Sequence, residues 1–452
     1  MAVIALKCPH LKITVVDVNV EKINAWNGEL SKLPVYEPGL AEIIEEVRNV
    51  NLFFSTEVDK AIEESEMIFM AVNTPTKTSG PGKGYAADLQ YVEKCSEQIA
   101  ELSKSNKIIV EKSTLPVRTA EKIKEILESN KKLDIEFEVI SNPEFLAEGT
   151  AINDLFKSDR VLIGGEKTLK GNEAVNHLVE IYNNWIPIDK IYTTNVWSSE
   201  LSKLVSNAML AQRVSSINSI SALCEKTGAD INEVSKAVGL DSRIGPNFLN
   251  SSIGFGGSCF KKDILNLVYI ARHYDLNEVA EYWEGVVNMN NYQTERFAKK
   301  IIDSFNSGIN NKVIAILGWS FKKNTNDSRE SPSIYLAKKL LYGGAIINVY
   351  DPMVNKSRII SDIKNLLIDD GNSTKQIDDF LKRLNICDTL YKSVDKSNAI
   401  SICTEWDEFK DIDWHKVKKL MNKYLLVFDG RNIVDKERID ELGFTSYVIG
   451  QS

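Results

Sequence analysis

The sequence predicts an α/β protein with two doubly wound domains joined by a helical domain that contains one long central helix. Short apolar runs alternate with charged stretches of helical spacing in residues 1–195, and this alternation resumes at residue 312. Between these regions, the stretch from Ser198 to Thr227 contains neither proline nor glycine, as a long helix requires. These observations predict three domains, at 1–195, 196–305 and 306–452.

Ten apolar runs are predicted as strands because parallel strands buried on both faces have near-continuous apolar sequences. The six runs of the first domain are residues 13–18, 51–55, 67–72, 107–112, 137–142 and 160–165. The four runs of the last domain are residues 312–318, 346–351, 399–404 and 425–430.

The long helix is unusual in its lack of charge. Arg213 is the only charged residue between Leu204 and Cys224. Ser198 or Ser199 is predicted to cap its N-terminus, and Gly228 its C-terminus. A helix with so little charge favours burial between domains or subunits, so we expect at least a dimer.

Composition excludes several classes of protein. The 452 residues carry a net charge of −8, which disfavours nucleic-acid and membrane-surface binding. The six cysteines show no C-x-x-C spacing, so neither a disulfide framework nor a metal site is predicted. No apolar run approaches the ~20 residues that span a bilayer, and the N-terminal MAVIALK is too short for a signal peptide. We expect a cytoplasmic protein.

The first predicted strand ends in Asp17, the place of the acid that binds the adenosine ribose in dinucleotide-binding units. In such units a G-x-G-x-x-G turn lies ~20 residues earlier. Here only 16 residues precede Asp17 and none is glycine. Met1–Cys8 is instead predicted as the helix that follows such a turn. Two interpretations stay open: a ribose-binding acid, or a strand end in an unrelated α/β domain.

The segment GFGGSCFKKD, residues 254–263, is the most informative for chemistry. Its glycines allow the backbone to approach a ligand, and Cys259 lies where the following helix begins, so helix N–H groups and nearby lysines favour a thiolate. Asp263 lies one helical turn later on the same face. This pair suits covalent capture of an aldehyde and later activation of water. The alternative is that Cys259 is a small buried hydrophobic residue.

Further polar residues have two interpretations each. Lys203 and Asn207 lie one turn apart on the long helix and would serve either an oxyanion or sugar hydroxyl, or a structural ion pair. A basic loop between strand and helix, and a basic residue after the last predicted strand, could clamp a diphosphate or lie in solvent. These residues are Lys322, Lys323, Arg329 and Arg431.

Seven motifs together carry a family resemblance. They are GFGGSCFKKD, SNPEFLAEG (141–149), VNTPTKT (72–78), EKSTLPVRT (111–119), SSELSKLVSNA (198–208), ILGWSFKKNTNDSRES (316–331) and FDGR (428–431). From about residue 1 to 450 the chain resembles UDP-glucose 6-dehydrogenases of the UDP-glucose/GDP-mannose dehydrogenase family. The resemblance implies two Rossmann-like domains and a homo-oligomer, a dimer or hexamer. It also implies oxidation of UDP-glucose to UDP-glucuronate with two NAD, through a cysteine thiohemiacetal and thioester.

The resemblance also implies a role for individual residues. Cys259 would be the nucleophile and Lys203 would steady the oxyanion. Asp263 would act on water or as a base, and Asn207 would hold the sugar hydroxyl or the oxyanion. Thr114 and Glu144 would place the water. UDP-glucose would contact Phe145, Leu146, Arg243 (from a neighbouring subunit), Phe248, Leu249, Gly256, Lys322 and Arg431. NAD would contact Asp17, Lys22, Thr74, Thr114, Glu148, Lys262 and Arg329.

One departure from the family pattern concerns the first strand and its glycine-rich turn, which this sequence lacks. That strand would sit in the middle of the sheet, so two neighbouring strand edges are expected to be unpaired. The hypothesis is that Met1 is internal to a longer natural protein. Two other functions stay open: a sister dehydrogenase acting on GDP-mannose or a UDP-N-acetyl sugar, and a non-catalytic nucleotide-sugar-binding subunit.

Overall fold

The structure, a computed structural model, describes residues 1–452. Its strands are β1 Ile13–Val16, β2 Leu52–Ser55, β3 Met67–Met70, β4 Lys107–Glu111, β5 Phe137–Ser141, β6 Val161–Gly165, β7 Ile191–Asn195, β8 Val313–Leu317, β9 Ile346–Tyr350, β10 Leu384–Ile386, β11 Ala399–Ile402, β12 Leu426–Asp429 and β13 Thr445–Val448.

The helices of the first half are α1 Ala2–Lys7, α2 Val20–Asn27, α3 Leu40–Val47, α4 Val58–Glu64, α5 Gln90–Leu102, α6 Thr119–Asn130, α7 Ala151–Phe156, α8 Leu169–Tyr182 and α9 Val196–Thr227. Those that follow are α10 Ile231–Gly239, α11 Phe260–His273, α12 Asn277–Asp303, α13 Pro332–Tyr342, α14 Lys356–Asp369, α15 Thr374–Leu381, α16 Leu390–Val394, α17 Asp407–Lys410, α18 Trp414–Leu420 and α19 Lys436–Glu441. None of them is both long and apolar enough to cross a membrane.

The chain divides into two compact units. The first contains Met1–Ser206 with Leu265–Asp275, and the second contains Asn207–Ile264 with Leu276–Ser452. The predicted middle domain, 196–305, contains helices α9 to α12 and no strand. Its separation as a third domain stays a prediction.

The first unit contains two sheets. β1 pairs in parallel with β2, with Ile13 opposite Leu52. A separate five-stranded sheet has the order β3-β4-β5-β6-β7, with Lys107 of β4 opposite Phe137 of β5. Neither β1 nor β3 has a second strand partner, so one edge of each is unpaired. Met1–Cys8 contains the predicted helix, α1.

The five-stranded sheet is buried between helices. One face packs against α5 and α6, through residues such as Ile99 and Ile123. The other packs against α8, through residues such as Leu178. Each of these side chains is fully buried, which contributes roughly 1.5–3 kcal/mol per residue. This burial fixes the carboxyl ends of the strands, where the polar loops begin.

The second unit is built on one parallel six-stranded sheet with the order β10-β9-β8-β11-β12-β13. β11 lies between β8 and β12, with Ala399 opposite Ile314 and Leu426. All four residues of β11 are buried, as the apolar run at 399–404 predicts. The fully buried Trp319 lies in the loop after β8 and belongs to the largest core cluster.

Three strands and one cap differ from the sequence prediction. β7, β10 and β13 are not among the predicted runs because edge strands need not be apolar on both faces. The helix α9 begins at Val196, and the Asn195 side chain accepts the backbone N–H of Ser198 at 2.9 Å. The prediction of Ser198 or Ser199 as the cap is therefore wrong. Gly228, at φ 81°, follows the last helical residue as predicted.

Candidate functional site

The loop before Cys259 is held by polar side chains of α12. The Asn290 side chain accepts the Phe255 N–H at 2.8 Å and donates to the Phe255 carbonyl at 3.1 Å. The Thr294 hydroxyl donates to the Ile253 carbonyl at 2.7 Å. The half-buried Asn290 and the buried Gln293 and Thr294 lie on one face of α12. Their helical spacing is a signal in the sequence that was not used in the prediction.

Two glycines of the loop allow it to approach the backbone of Arg329 and Glu330, in the same unit. A Cβ at Gly256 would lie 2.6 Å from the Glu330 carbonyl oxygen. Gly257, at φ 86°, donates its N–H to the Arg329 carbonyl at 2.8 Å. The Arg329 side chain forms a bidentate ion pair with Asp327. The backbone hydrogen bond of Gly257 therefore holds two predicted ligand contacts, the neighbouring Gly256 and Arg329, on adjoining segments.

Cys259 is the one exposed cysteine of the chain. It immediately precedes α11, and its carbonyl accepts the Asp263 N–H at 2.8 Å. The unpaired N–H groups of a helix's first turn stabilise negative charge there. Lys262 lies on this turn and is half-buried. Burial raises the pKa of the other cysteines, which are Cys8, Cys95, Cys224, Cys387 and Cys403.

Asp263 lies one turn along α11 from Cys259 and is only 1% exposed. One of its carboxylate oxygens accepts the Asn207 side-chain amide at 2.6 Å. Three of the predicted catalytic residues are thus linked in the second unit. Lys261, also on the first turn, pairs with Glu330 at 2.8 Å, so the expected lysine charge beside the thiol is partly neutralised.

In the first unit, Lys203 is buried next to the loop after β5. Its ammonium lies 4.0 Å from the Glu144 carboxylate and 5.3 Å from the centre of the Phe145 ring. The same carboxylate accepts the Leu146 N–H at 3.1 Å. The structure therefore brings these four predicted residues together. Arg160, whose guanidinium lies 3.9 Å from the centre of the Phe145 ring, had no signal in the sequence.

The predicted cofactor residues of the first unit follow the carboxyl ends of its strands. Lys22 pairs with Asp17 at 2.8 Å, and this hydrogen bond lowers the pKa of Asp17. The Thr74 hydroxyl donates to the Thr114 carbonyl at 3.2 Å. Glu148 is half-buried in the loop after β5. Nucleotides bind at this edge of open α/β sheets, so an acid after β1 and two linked threonine loops fit a dinucleotide.

Arg431 follows β12 and is largely buried. Its guanidinium donates to the Cys403 carbonyl at 2.7 Å and to the Phe321 carbonyl at 2.9 Å. Lys322 comes directly after Phe321 and is half-buried. Lys322 and Arg431, two of the four basic residues predicted to clamp a diphosphate, therefore lie on adjoining loops of the second unit, whereas Lys323 pairs with Asp407 at 3.0 Å.

The other predicted substrate residues lie in the loop after α10. Arg243 forms a bidentate pair with Asp241, and its side chain is 87% exposed. Leu249 is buried, whereas Phe248 is 42% exposed and has φ 62°. The Phe248 ring lies 6.5 Å from that of Phe260, the residue after Cys259. Phe248 is therefore close to the start of α11, whereas the hydrogen bonds of the Arg243 side chain go to Asp241.

Asp351, at the end of β9, occupies the place that Asp17 occupies after β1. Its carboxylate accepts the backbone N–H groups of Trp319 at 2.6 Å and Ser320 at 3.0 Å. These amides lie after β8, where a dinucleotide-binding sheet offers them to a pyrophosphate. Because Asp351 takes them, the second sheet is not arranged as a second dinucleotide site. The strand at 346–351 is predicted from the sequence, but the partners of Asp351 are not.

A buried pair of carboxyl groups, Glu111 and Glu200, was not predicted. Glu200 accepts the N–H groups of Arg118 at 2.7 Å and Ala120 at 2.8 Å, at the start of α6. Both oxygens of Glu111 are buried without a donor group. A hydrogen bond between the two carboxyl groups therefore requires that one of them carries a proton. Burial first, and the partner's charge, raise the pKa of Glu111 well above its usual value. Burial raises the pKa of Glu200 to about 7.

This pair predicts a pH-dependent stability. A carboxyl group with a raised folded-state pKa favours the fold below its unfolded pKa, and that contribution is lost as pH rises through the folded value. We expect the melting temperature to fall from pH 5 to pH 8, and Glu111→Gln to flatten this fall by a few degrees. Glu97→Gln, at an exposed site, is the matched control. An unchanged slope in Glu111→Gln would show that the pair does not share a proton.

Three family profiles match the chain. All describe the UDP-glucose/GDP-mannose dehydrogenase family: its NAD binding domain at residues 1–186, its central domain at 197–292 and its UDP binding domain at 315–436. The solved structure of a UDP-glucose dehydrogenase from Pyrobaculum islandicum superposes with a TM-score of 0.82 at 26% identity. That superposition covers 99% of this chain and 94% of the other. This likeness confirms the predicted Rossmann-like fold with its long central helix.

Curated relatives are more similar in sequence. The UDP-glucose 6-dehydrogenase of Drosophila melanogaster is 54% identical over 450 residues, covering 100% of this chain and 93% of the relative. UDP-glucose 6-dehydrogenase 3 of Arabidopsis thaliana is 52% identical over 454 residues, with 100% and 94% covered. The chain therefore belongs to the UDP-glucose/GDP-mannose dehydrogenase family and is an NAD-dependent enzyme.

Proposed function

We propose that this protein oxidises UDP-glucose to UDP-glucuronate in two successive two-electron steps. The observation that carries the proposal is the position of Cys259. It is exposed at the start of α11, on a loop of closely packed glycines, with the buried Asp263 one turn further on. The identity to curated UDP-glucose 6-dehydrogenases supports this substrate over other sugar nucleotides.

The chain's own residues divide the chemistry between them. Bound NAD would supply the hydride acceptor for each oxidation at the sugar C6. Cys259 adds to the C6 aldehyde to form a thiohemiacetal, whose oxidation leaves a thioester. Water then attacks the thioester, giving the carboxylate and returning the thiol. Asp263 takes the proton of the attacking group. The ammonium of Lys203 stabilises the oxyanion at C6, with Asn207 as a second donor.

Water placement and cofactor binding fall to the first unit. Thr114 and Glu144 orient the water that hydrolyses the thioester. The NAD contacts proposed for this unit are Asp17, Lys22, Thr74, Thr114 and Glu148, and those for the second unit are Lys262 and Arg329. The ion pair between Asp17 and Lys22 holds the carboxylate ionised as an acceptor for ribose hydroxyl groups.

The sugar nucleotide is proposed to bind largely to the second unit. Lys322 and Arg431 meet the diphosphate, since guanidinium and ammonium groups are its preferred partners. The remaining contacts are Phe248, Leu249 and Gly256 in the second unit, Phe145 and Leu146 in the first, and Arg243 from a neighbouring subunit. The Arg243 side chain is 87% exposed and pairs with Asp241, which is consistent with a partner outside its own chain.

We infer that the active protein is a homo-oligomer. On the part of α9 in the second unit, Met209 is 57% and Leu223 is 59% exposed, and Leu240 after α10 is 78% exposed. Large apolar side chains at this density mark an association surface rather than a solvated one. A dimer formed through α9 would bury them.

The function is tested by mixing the protein with NAD and sugar nucleotides. We expect two NADH for each UDP-glucuronate formed from UDP-glucose, quantified by absorbance and by chromatography of the product. GDP-mannose and a UDP-N-acetyl sugar are the control substrates, and faster turnover of either would assign the chain to a sister activity. Binding of UDP-glucose without NADH formation would instead establish a non-catalytic binding subunit.

A further inference from the structure

We propose that Arg213 is a positioning residue for the sugar-nucleotide pocket, a role that rests on the proposed function. It is the one charged residue in the middle of α9. Its guanidinium donates to three backbone carbonyls of a single loop: Ile244 at 3.0 Å, Gly245 at 2.8 Å and Asn247 at 2.9 Å. These three hydrogen bonds hold the segment 244–247 against α9.

The chemistry of the guanidinium explains why arginine stands here. Its planar fork presents five N–H donors in fixed directions, so that one side chain can satisfy three carbonyls at once. Lysine has a single ammonium on a flexible stem and cannot span three carbonyls with the same geometry. The loop carbonyls accept charge-assisted hydrogen bonds, which are stronger than those between neutral groups.

The held loop leads directly to a strained residue. Gly245 has φ 71° and Phe248 has φ 62°, a region that bulky side chains rarely adopt. Phe248 is also 42% exposed, although an aromatic residue would normally be buried. Strained residues persist where the surroundings over-determine them, and they cluster at ligand sites. Arg213 supplies that constraint on the residues just before Phe248.

A short chain of contacts connects this loop to the nucleophile. The Phe248 ring lies 6.5 Å from the Phe260 ring, and Phe260 lies 5.7 Å from Phe255 of the glycine loop. Phe260 is the first residue of α11 and directly follows Cys259. Loosening the loop would displace Phe248 from this cluster. The expected consequence is weaker binding of the sugar nucleotide, with the NAD contacts of the first unit unaffected.

The test compares Arg213→Lys and Arg213→Met with the unaltered full chain. We expect the Kd for UDP-glucose, measured by calorimetry without NAD, to rise about tenfold or more, and the KM for UDP-glucose to rise by a similar factor. The KM for NAD is expected to change less than about twofold. Adding methylguanidinium to Arg213→Ala is expected to restore part of the affinity. Arg296→Lys is the matched control, because Arg296 bonds Glu225 and Gln293 in the same unit without touching the loop.

Hydrogen exchange separates this proposal from the proposed function. Amides of residues 244–249 are expected to exchange faster in Arg213→Met than in the unaltered protein, with no ligand present. Equal exchange in both proteins would overturn the positioning role, whatever the substrate. An equal loss of UDP-glucose affinity in Arg296→Lys would also overturn it, since general destabilisation would then explain the effect. If exchange is faster in Arg213→Met but the unaltered protein does not bind UDP-glucose, only the proposed function is refuted.

Discussion

Replacing Cys259 with alanine is expected to lower the rate of UDP-glucuronate formation by about a thousand-fold or more, the scale on which nucleophile removal acts. Without the thiol no thiohemiacetal forms, so the aldehyde cannot enter the second oxidation. Because the side chain is exposed, its loss should change the melting temperature little. The measurement is NADH per UDP-glucose consumed, together with mass spectrometry of the product.

Cys387→Ala is the matched control for this variant. Cys387 is half-buried in the loop after β10, and burial raises the pKa of its thiol. We expect that variant to keep full turnover. If Cys259→Ala also forms UDP-glucuronate at an undiminished rate, the nucleophile is another group and the proposed covalent route is wrong.

Asp263→Asn is expected to lower kcat by about 100- to 10,000-fold, the range of a general base. Asparagine has nearly the same shape as aspartate but cannot take up a proton. Its side-chain oxygen can still accept a hydrogen bond from the Asn207 amide, which lies 2.6 Å from the carboxylate in the unaltered protein. The fold should therefore persist, and the loss should lie in kcat rather than in the KM for UDP-glucose. Rates measured from pH 5 to pH 9 should lose the limb that reports the base.

Asp378→Asn, at an exposed site on α15, serves as the control for the change of charge. Melting temperatures of both variants separate a catalytic effect from unfolding. Should Asp263→Asn retain kcat while its melting temperature falls, Asp263 would be a structural partner of Asn207 and not a base. Recovery of part of the rate at high pH would support the assignment.

Much of the fold follows from local sequence pattern. Each of the ten apolar runs contains an observed strand, because a strand buried on both faces needs apolar residues throughout. The strands Thr445–Val448 and Leu384–Ile386 are not predicted, because they lie at the edges of their sheet, where one side is solvated. The relation of Cys259 to Asp263 was also predictable, since four residues along a helix amount to one turn.

Local sequence pattern therefore predicts the order of the elements, the two α/β domains that they build and the chemistry of the residues near Cys259. Which groups meet across long separations in the chain depends on the packing of the folded molecule. Glu200 reaches Arg118 across 82 positions, and Arg213 reaches Gly245 across 32. No local periodicity encodes such contacts, because they depend on how helices pack onto a sheet and on which backbone groups that packing leaves unpaired.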